Sequence, residues 1–328
     1  MTSSASKKIR VGIIGGAGYT AGELLRLLLY HPAAEIAFVQ SSSQAGKELS
    51  AAHPDLEGLL EGHFVKEMPE EPDLLFLCSG HGASAGFMAG NSLSDQSRII
   101  DLSHDFRLKR QGNAFVYGLP ELNAREIRES RRIANPGCFA TAIQLALLPL
   151  AGNSLLQSDV HVHAVTGSTG AGQQPTESTH FSWRDNNLSV YKAFEHQHLG
   201  EIRQSLLQLQ PDFQQNLNFI PVRGNFSRGI FASLYCRCDL PIERIRDIYA
   251  GFYQHAPFTR ISGKNPSLKQ VVNTNHCLLY LEKHQDKLLI ISIIDNLLKG
   301  ASGQAVQNMN LMFGLAETSG LLLKPAAF

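Results

Sequence analysis

Asn135-Pro136-Gly137-Cys138 closes an apolar, strand-like stretch and opens directly into a helical pattern running from Phe139 to Leu150. The spacing predicts a thiol at a helix N-terminus. First-turn N–H groups lack intrahelical partners, and with the helix dipole they favour negative charge, so this thiol is expected to ionise more readily than a free cysteine. At a free pKa of about 8.5 roughly 3% is thiolate at pH 7, against roughly 90% at a pKa of about 6, a difference on the order of 3 kcal/mol. A lone cysteine is also commonly buried and inert, so the reading depends on what the rest of the chain supplies.

A thiol that attacks a carbonyl needs a general acid or base nearby. Of the 13 histidines, two fall in Tyr191-Lys192-Ala193-Phe194-Glu195-His196-Gln197-His198, just before a helical pattern containing Ile202, Leu206 and Leu207. A histidine at such a point can project from a loop into a cleft; His196 and His198 can equally be exposed loop residues.

The elements that must position this chemistry begin at Val11-Gly12-Ile13-Ile14-Gly15-Gly16-Ala17-Gly18-Tyr19-Thr20-Ala21-Gly22-Glu23. Ile9 to Ile14 is β-rich, Leu24, Leu25, Leu28 and Leu29 have helical spacing, and Glu35 to Val39 supplies a second strand, which together read as a dinucleotide-binding unit. Gly15 and Gly18 would permit the tight turn and the close approach of a pyrophosphate, while Gly22 falls one residue later than the usual third glycine. The second strand runs into Gln40-Ser41-Ser42-Ser43-Gln44-Ala45-Gly46-Lys47. No carboxylate stands there to bond a ribose 2′-hydroxyl, whereas three hydroxyls and a lysine could accept a 2′-phosphate, so NADPH is favoured over NADH.

Leu74 to Cys78 and Ile99 to Leu102 are short apolar runs, as in buried parallel strands, and they extend this start into a Rossmann-type, doubly wound parallel sheet. After the Cys138 helix the pattern changes to period-two strands at Val160 to Val165, Gly229 to Arg237 and Leu288 to Ile294, which predicts a second, α+β domain with a mixed or antiparallel sheet. The expected organisation is an NADP-binding domain of residues 1–137 plus 300–328 and a catalytic and oligomerisation domain of residues 138–299. A last helix, Ser302 to Phe313, puts Ala305, Met309 and Met312 on one face, and its glycine-rich start, Lys299 to Gly303, is expected to let backbone approach the nucleotide.

Composition narrows the class. The 328 residues carry zero formal net charge, 43% hydrophobic and 18% charged residues, ordinary for a soluble enzyme and without the basic footprint of a nucleic-acid or membrane binder. No segment approaches the roughly 20 apolar residues of a membrane span, and Met1 to Lys8 lacks a signal-peptide core, so the expectation is cytoplasmic. Five cysteines, an odd number, suit a reducing compartment. Cys236 and Cys238 flank Arg237 on one strand face; without further ligands they read as core rather than metal ligands.

Six stretches in order resemble one family, the N-acetyl-gamma-glutamyl-phosphate reductases of arginine biosynthesis, relatives of aspartate-semialdehyde dehydrogenase. They are Gly15 to Leu24, Asp101-Leu102-Ser103-His104-Asp105-Phe106-Arg107, Tyr117-Gly118-Leu119-Pro120-Glu121, Asn135 to Cys138, Thr166-Gly167-Ser168-Thr169-Gly170-Ala171-Gly172, and Asp295 to Asn308. The resemblance implies NADPH-dependent reduction of an N-acyl-glutamyl phosphate to its semialdehyde with release of phosphate, through a thioester on Cys138. It implies His198 as acid/base with His196 close by, and Arg107, Arg228, Ser168 and Glu201 on the substrate. Gly15, Gly18, Tyr19, Thr20, Ser41, Ser42, Ser43, Asn296 and Lys299 would hold the cofactor, and the assembly would be a homodimer or homotetramer. The chain departs from the family pattern at Gly200, where proline is common, and at Gln173, where arginine is common; Arg184, in the variant stretch Ser178 to Arg184, could compensate. N-acetyl and N-succinyl substrates both remain open. The rival readings are an aspartate-type semialdehyde dehydrogenase and a non-catalytic NADP-sensing regulator.

Overall fold

The computed structural model describes residues 7–80 and 82–326. The first six residues, part of the polar Met1–Lys8 stretch, therefore lie outside it, as do His81 and residues 327–328. The backbone divides into two compact units.

The first unit contains the chain through Gly118, Asn123–Asn135 and Ala305–Leu321. Its elements are β1 (Ile9–Ile14), α1 (Tyr19–Leu28), β2 (Ala34–Gln40), β3 (Leu74–Leu77), α2 (Ala83–Gly90), β4 (Arg98–Asp101), β5 (Val116–Tyr117), α3 (Pro120–Glu129) and β6 (Arg132–Ala134). All six strands are parallel, in the order β2-β1-β3-β4-β6-β5. This is the doubly wound sheet expected from the sequence. The central strand β3 is buried at every residue, which is why it reads as an unbroken apolar run rather than an alternating one. Strand order reverses beside β1, and in such sheets ligands bind beyond the carboxyl ends of the strands at that point. Helix α3 is kinked at Asn123 (φ −123°, ψ 27°), and its first residues group with the second unit.

The second unit contains Leu119–Leu122, Pro136–Gln304 and the chain from Leu322 on. It runs α4 (Cys138–Ala151), β7 (Val160–Thr166), α5 (Phe181–Arg184), β8 (Ser189–Val190), α6 (His198–Leu209), β9 (Leu217–Arg223), β10 (Ile230–Arg237), α7 (Ile242–Tyr253), β11 (Thr259–Ile261), β12 (Cys277–His284) and β13 (Lys287–Ile294). A π-helical turn, Leu298–Ser302, then leads into α8 (Gly303–Met312), whose residues from Ala305 on group with the first unit. The seven strands form one mixed sheet, β11-β12-β13-β10-β7-β9-β8, antiparallel except where β11 pairs with β12 and β7 with β9.

Helix α4 is the core of this unit. Every residue from Phe139 to Ala151 is buried, and three hydroxyls from neighbouring elements hydrogen-bond its backbone: Ser292 donates to the Ala142 carbonyl at 2.7 Å, Tyr249 to Ala146 at 2.5 Å and Tyr253 to Leu145 at 2.5 Å. The last contact answers a specific defect. Pro149 sits four residues after Leu145 and has no N–H to give, so the Leu145 carbonyl would otherwise be an unmet acceptor in an apolar interior. On the sheet's other face Phe231, Leu278, Tyr280 and Leu289 pack, only partly buried, around Val271, Ile291 and Ile293.

Candidate active site

In the first unit the turn from β1 to α1 is built on glycines with distinct duties. Gly15 has φ +77°, a region closed to most side chains, and a Cβ there would stand 2.7 Å from the Ser79 amide nitrogen. A Cβ on Gly18 would meet nothing within 4 Å. Gly18 is also the N-cap of α1 and supplies no side-chain cap. Gly22 is a packing glycine: a Cβ there would stand 2.8 Å from Nδ1 of His53, whose Nε2 lies 2.7 Å from the Gly16 carbonyl. These features fit the pyrophosphate of a dinucleotide.

Tyr19 is partly exposed at the start of α1. Thr20 bonds the thiol of Cys78, a group that burial nonetheless pushes up to about 12. Beyond β2, Ser41 is buried with its hydroxyl 3.4 Å from that of Ser43, while Ser42 accepts a hydrogen bond from the Gln40 amide at 3.2 Å; Ser42 and Ser43 are exposed. Arg107 also belongs to this unit, buried after β4, with Nη2 donating to the Leu102 carbonyl at 2.8 Å.

The second unit assembles the thiol site. Cys138 is the first residue of α4, half-buried, preceded by the extended N-cap Gly137 (φ −73°, ψ 151°). The Gly137 amide donates to Glu201 Oε2 at 2.9 Å, and the other oxygen of that carboxylate lies 3.9 Å from His198 Nε2. Glu201, expected on the substrate, is buried and engaged with the protein itself, joining the turn before the nucleophile to the histidine that opens α6.

The two histidines lie together, ring centroids 4.6 Å apart, in an aromatic surround of Phe139, Phe219 and Tyr191. They are not equivalent. His196 Nδ1 accepts the His198 amide at 3.2 Å, which puts the proton of the neutral ring on Nε2. Burial first, and the Lys192 charge second, depress its pKa to about 4 against a smaller opposing pull from Glu201. His196 is therefore a neutral ring at physiological pH, and the carboxylate faces His198. Both are buried, not exposed loop residues.

Several residues are held differently from expectation. Arg228 meets Asp295 through two bonds, Nε to Oδ2 at 3.0 Å and Nη2 to Oδ1 at 3.1 Å. Asp295 also accepts the amides of Asn273, Leu297 and Leu298, so the pair anchors the π-turn. Asn296 is buried, its Oδ1 accepting from the Gly229 amide at 2.7 Å and its Nδ2 donating to Thr169 at 3.0 Å. Lys299, expected on the cofactor, has a side chain with 0% exposure and its ammonium 2.7 Å from Glu121, a carboxylate that also accepts from Thr259 at 3.0 Å. The glycines after Lys299 serve close packing within this unit: a Cβ on Gly300 would fall 2.8 Å from that of Cys138, and one on Gly303 would fall 2.5 Å from Asn275 Oδ1. Ser168 is half-buried, its amide donating to the Phe226 carbonyl at 2.8 Å.

Arg184 does not take the place of the arginine missing at Gln173. It is buried, with its guanidinium given to the carbonyls of Ser178, Arg223 and Gly224 and to the Ser189 hydroxyl. Sequence reading passed over Tyr191, Arg223, Asp295, Glu121 and Phe219. Asp295 and Glu121 lay inside recognised motifs; Arg223 carried no local signal beyond its place at the end of a strand.

Two family models match the chain: the NAD-binding domain of semialdehyde dehydrogenases over residues 10–130 and their dimerisation domain over residues 138–296. N-acetyl-gamma-glutamyl-phosphate reductases of Parabacteroides distasonis and Flavobacterium johnsoniae are 59% and 58% identical over 321 and 324 residues, each covering 98% of this chain and 100% of the relative. The enzyme of that name from Bacteroides fragilis is 57% identical over 321 residues, with the same coverage. Among solved structures, aspartate semialdehyde dehydrogenase II of Vibrio cholerae superposes with TM-score 0.71 at 18% identity, over 94% of this chain and 99% of that one. The Candida albicans aspartate semialdehyde dehydrogenase with NADP gives TM-score 0.69 at 14% identity, over 94% of this chain and 99% of that one. At such identities these two speak for the fold alone.

Proposed function

This chain belongs to the N-acetyl-gamma-glutamyl-phosphate reductase family of semialdehyde dehydrogenases, and on that premise we propose how its residues reduce an N-acyl-glutamyl 5-phosphate to the 5-semialdehyde in arginine biosynthesis. The Cys138 thiolate attacks the acyl carbon, the carbon–oxygen bond to phosphate breaks, and phosphate departs, leaving a thioester on Cys138. A nicotinamide cofactor, once held by the first unit, would supply the hydride. His198, in protonated form opposite Glu201, delivers a proton to the oxygen that carries negative charge and takes it back as the hemithioacetal collapses, so that aldehyde leaves and the thiolate is restored. Neutral His196 orients His198 through its amide and keeps water from the thioester. The aromatic wall of Phe139 and Phe219 assists in that exclusion.

The observation that carries this reading is the single carboxylate of Glu201 holding both the Gly137 turn and the His198 ring. It ties nucleophile and proton carrier to one support, as acyl transfer requires. Substrate-side roles for Arg107 and Ser168, and cofactor-side roles for Gly15, Gly18, Tyr19, Thr20 and the serines after β2, complete the assignment. Asn296 and Lys299 act through the π-turn that lies against the thiol. NADP is the cofactor we assign, because the end of β2 offers hydroxyls and Lys47 without a carboxylate. We assign self-association into a dimer or tetramer to the sheet face around Ile291 and Ile293, whose surrounding apolar side chains are only partly buried. Five free thiols suit a reducing compartment, and we place the reaction in the cytoplasm.

The test is phosphate-dependent reduction of NADP+ with N-acetylglutamate semialdehyde, run beside the N-succinyl analogue, aspartate semialdehyde and NAD+. Phosphate-dependent turnover of a glutamate semialdehyde is expected. Faster turnover of aspartate semialdehyde, or none with any aldehyde, would remove the reading.

A further inference from the structure

Three arginines border the second unit's chemistry, and they are committed very differently. Arg228 is locked to Asp295, and Arg184 to backbone carbonyls. Arg223 is half-buried, lies with its guanidinium carbon 4.8 Å above the Tyr191 ring, hydrogen-bonds the Tyr191 side chain, and pairs with no carboxylate among the described residues. Its Nε is sealed from water without an acceptor. A buried guanidinium nitrogen without a partner is a cost the fold does not otherwise recover.

Its direction follows from strand geometry. Phe219, Pro221 and Arg223 alternate onto one face of β9, and Phe219 packs on His196 and on Phe139, the residue that follows Cys138 in the chain. Tyr191 bridges the two ends of this row, edge-on to His196 with centroids 5.8 Å apart and beneath Arg223. Burial, followed by negative charge on Cys138, pushes the Tyr191 hydroxyl to about 12 against the opposing pull of Arg223, so both groups bear on the same phenol. Arg184 holds the strand end in place, donating to the Arg223 carbonyl at 2.7 Å. It thereby sets a second positive charge near enough to be felt by Arg223.

We propose that Arg223 is the substrate-binding arginine of the thiol site, receiving a carboxylate or phosphoryl oxyanion of the acyl-phosphate substrate on its planar fork. The assignment rests on the reductase reading above and moves the role expected of Arg228 to a residue whose guanidinium has no anion of its own. A guanidinium stacked on an aromatic ring is held flat and oriented, which suits two-point recognition of an oxyanion.

Steady-state kinetics of aldehyde oxidation tests this in the intact enzyme, with the KM for semialdehyde and the KM for inorganic phosphate measured separately. Arg223→Gln is expected to raise one of them roughly 10- to 100-fold while NADP+ affinity stays at the wild-type value, with Arg223→Lys intermediate. A rise for the aldehyde identifies a carboxylate as the ligand; a rise for phosphate identifies the phosphoryl group. Both constants within about twofold of wild type overturn the proposal. Should the glutamine variant not fold, phenylglyoxal labelling of wild-type Arg223, read by peptide mass, replaces it: protection by aldehyde or phosphate supports the role, and unprotected labelling overturns it. A wild-type protein without phosphate-dependent turnover would instead remove the reductase reading, a separate result.

Discussion

Gly300 lies against Cys138 so closely that a methyl group on it would stand 2.8 Å from the cysteine Cβ and 3.2 Å from its Cα. The glycine belongs to a turn whose amides are gathered by Asp295, itself held by Arg228. The nucleophile is thus wedged in place by backbone from the far end of the chain.

Gly300→Ala must move either the π-turn or the first residue of α4. A displacement approaching 1 Å at a reacting atom costs about a hundredfold, so we expect kcat to fall by about that factor while NADPH binding, followed by fluorescence titration, stays unchanged. Wild-type kcat in a folded variant would show that this contact does not position the thiol.

Glu201→Gln keeps an oxygen for the Gly137 amide but removes the charge opposite His198. Losing that charge takes away the electrostatic support beside the ring that handles the proton. We expect a roughly tenfold or greater loss of kcat near neutrality. Wild-type kcat in a folded variant would rule out Glu201 as the support of the acid/base.

His196 offers a test in stability rather than rate. Its folded pKa of about 4 lies below the ordinary histidine value of 6.5, so between those values the unfolded chain binds the extra proton. Stability then increases with pH across this window and is lost as pH falls through it, by on the order of 3 kcal/mol in full. Urea denaturation of wild type and His196→Asn from pH 7 to pH 4 should show a flatter dependence in the variant. Parallel curves would mean that this ring is not the group being titrated.

Tyr253→Phe removes the donor that serves the Leu145 carbonyl opposite Pro149. Leaving a buried acceptor unmet costs about 1–3 kcal/mol, and a drop of that size in unfolding free energy is expected, with KM values retained. An unchanged denaturation midpoint would mean that water or backbone relaxation replaces the hydroxyl.

Much of this was written in local pattern. Parallel strands announced themselves as apolar runs, the second sheet as alternation, and Cys138 as the residue between Pro136-Gly137 and an apolar helix. The partners were not legible, because they are distant in sequence: Arg228 and Asp295 are 67 residues apart, and Glu121 and Lys299 are 178 apart. An arginine bound to a buried aspartate and one waiting for a ligand look alike in a sequence. So do glycines that admit a nucleotide and glycines that admit a neighbouring helix, and the close packing of Gly300 and Gly303 against Cys138 and Asn275 carried no signal in the sequence. The separation of His196 from His198 depends on which ring faces Glu201, a matter of three-dimensional placement.

The π-turn before α8 closes two bonds that each span five residues, Gly300 to Asp295 at 2.9 Å and Ser302 to Leu297 at 2.8 Å. Relative to a regular helix it holds one residue too many, and each residue turns the helix by about 100°. Deleting one residue from Leu298–Ser302 would therefore leave a better-formed ladder of hydrogen bonds and a misphased helix. Ala305, Val306 and Met309, now buried, would swing more than a quarter turn from their present bearing. The length of this turn works as a phase setting, so single-residue insertions and deletions here should be tolerated less well than most substitutions.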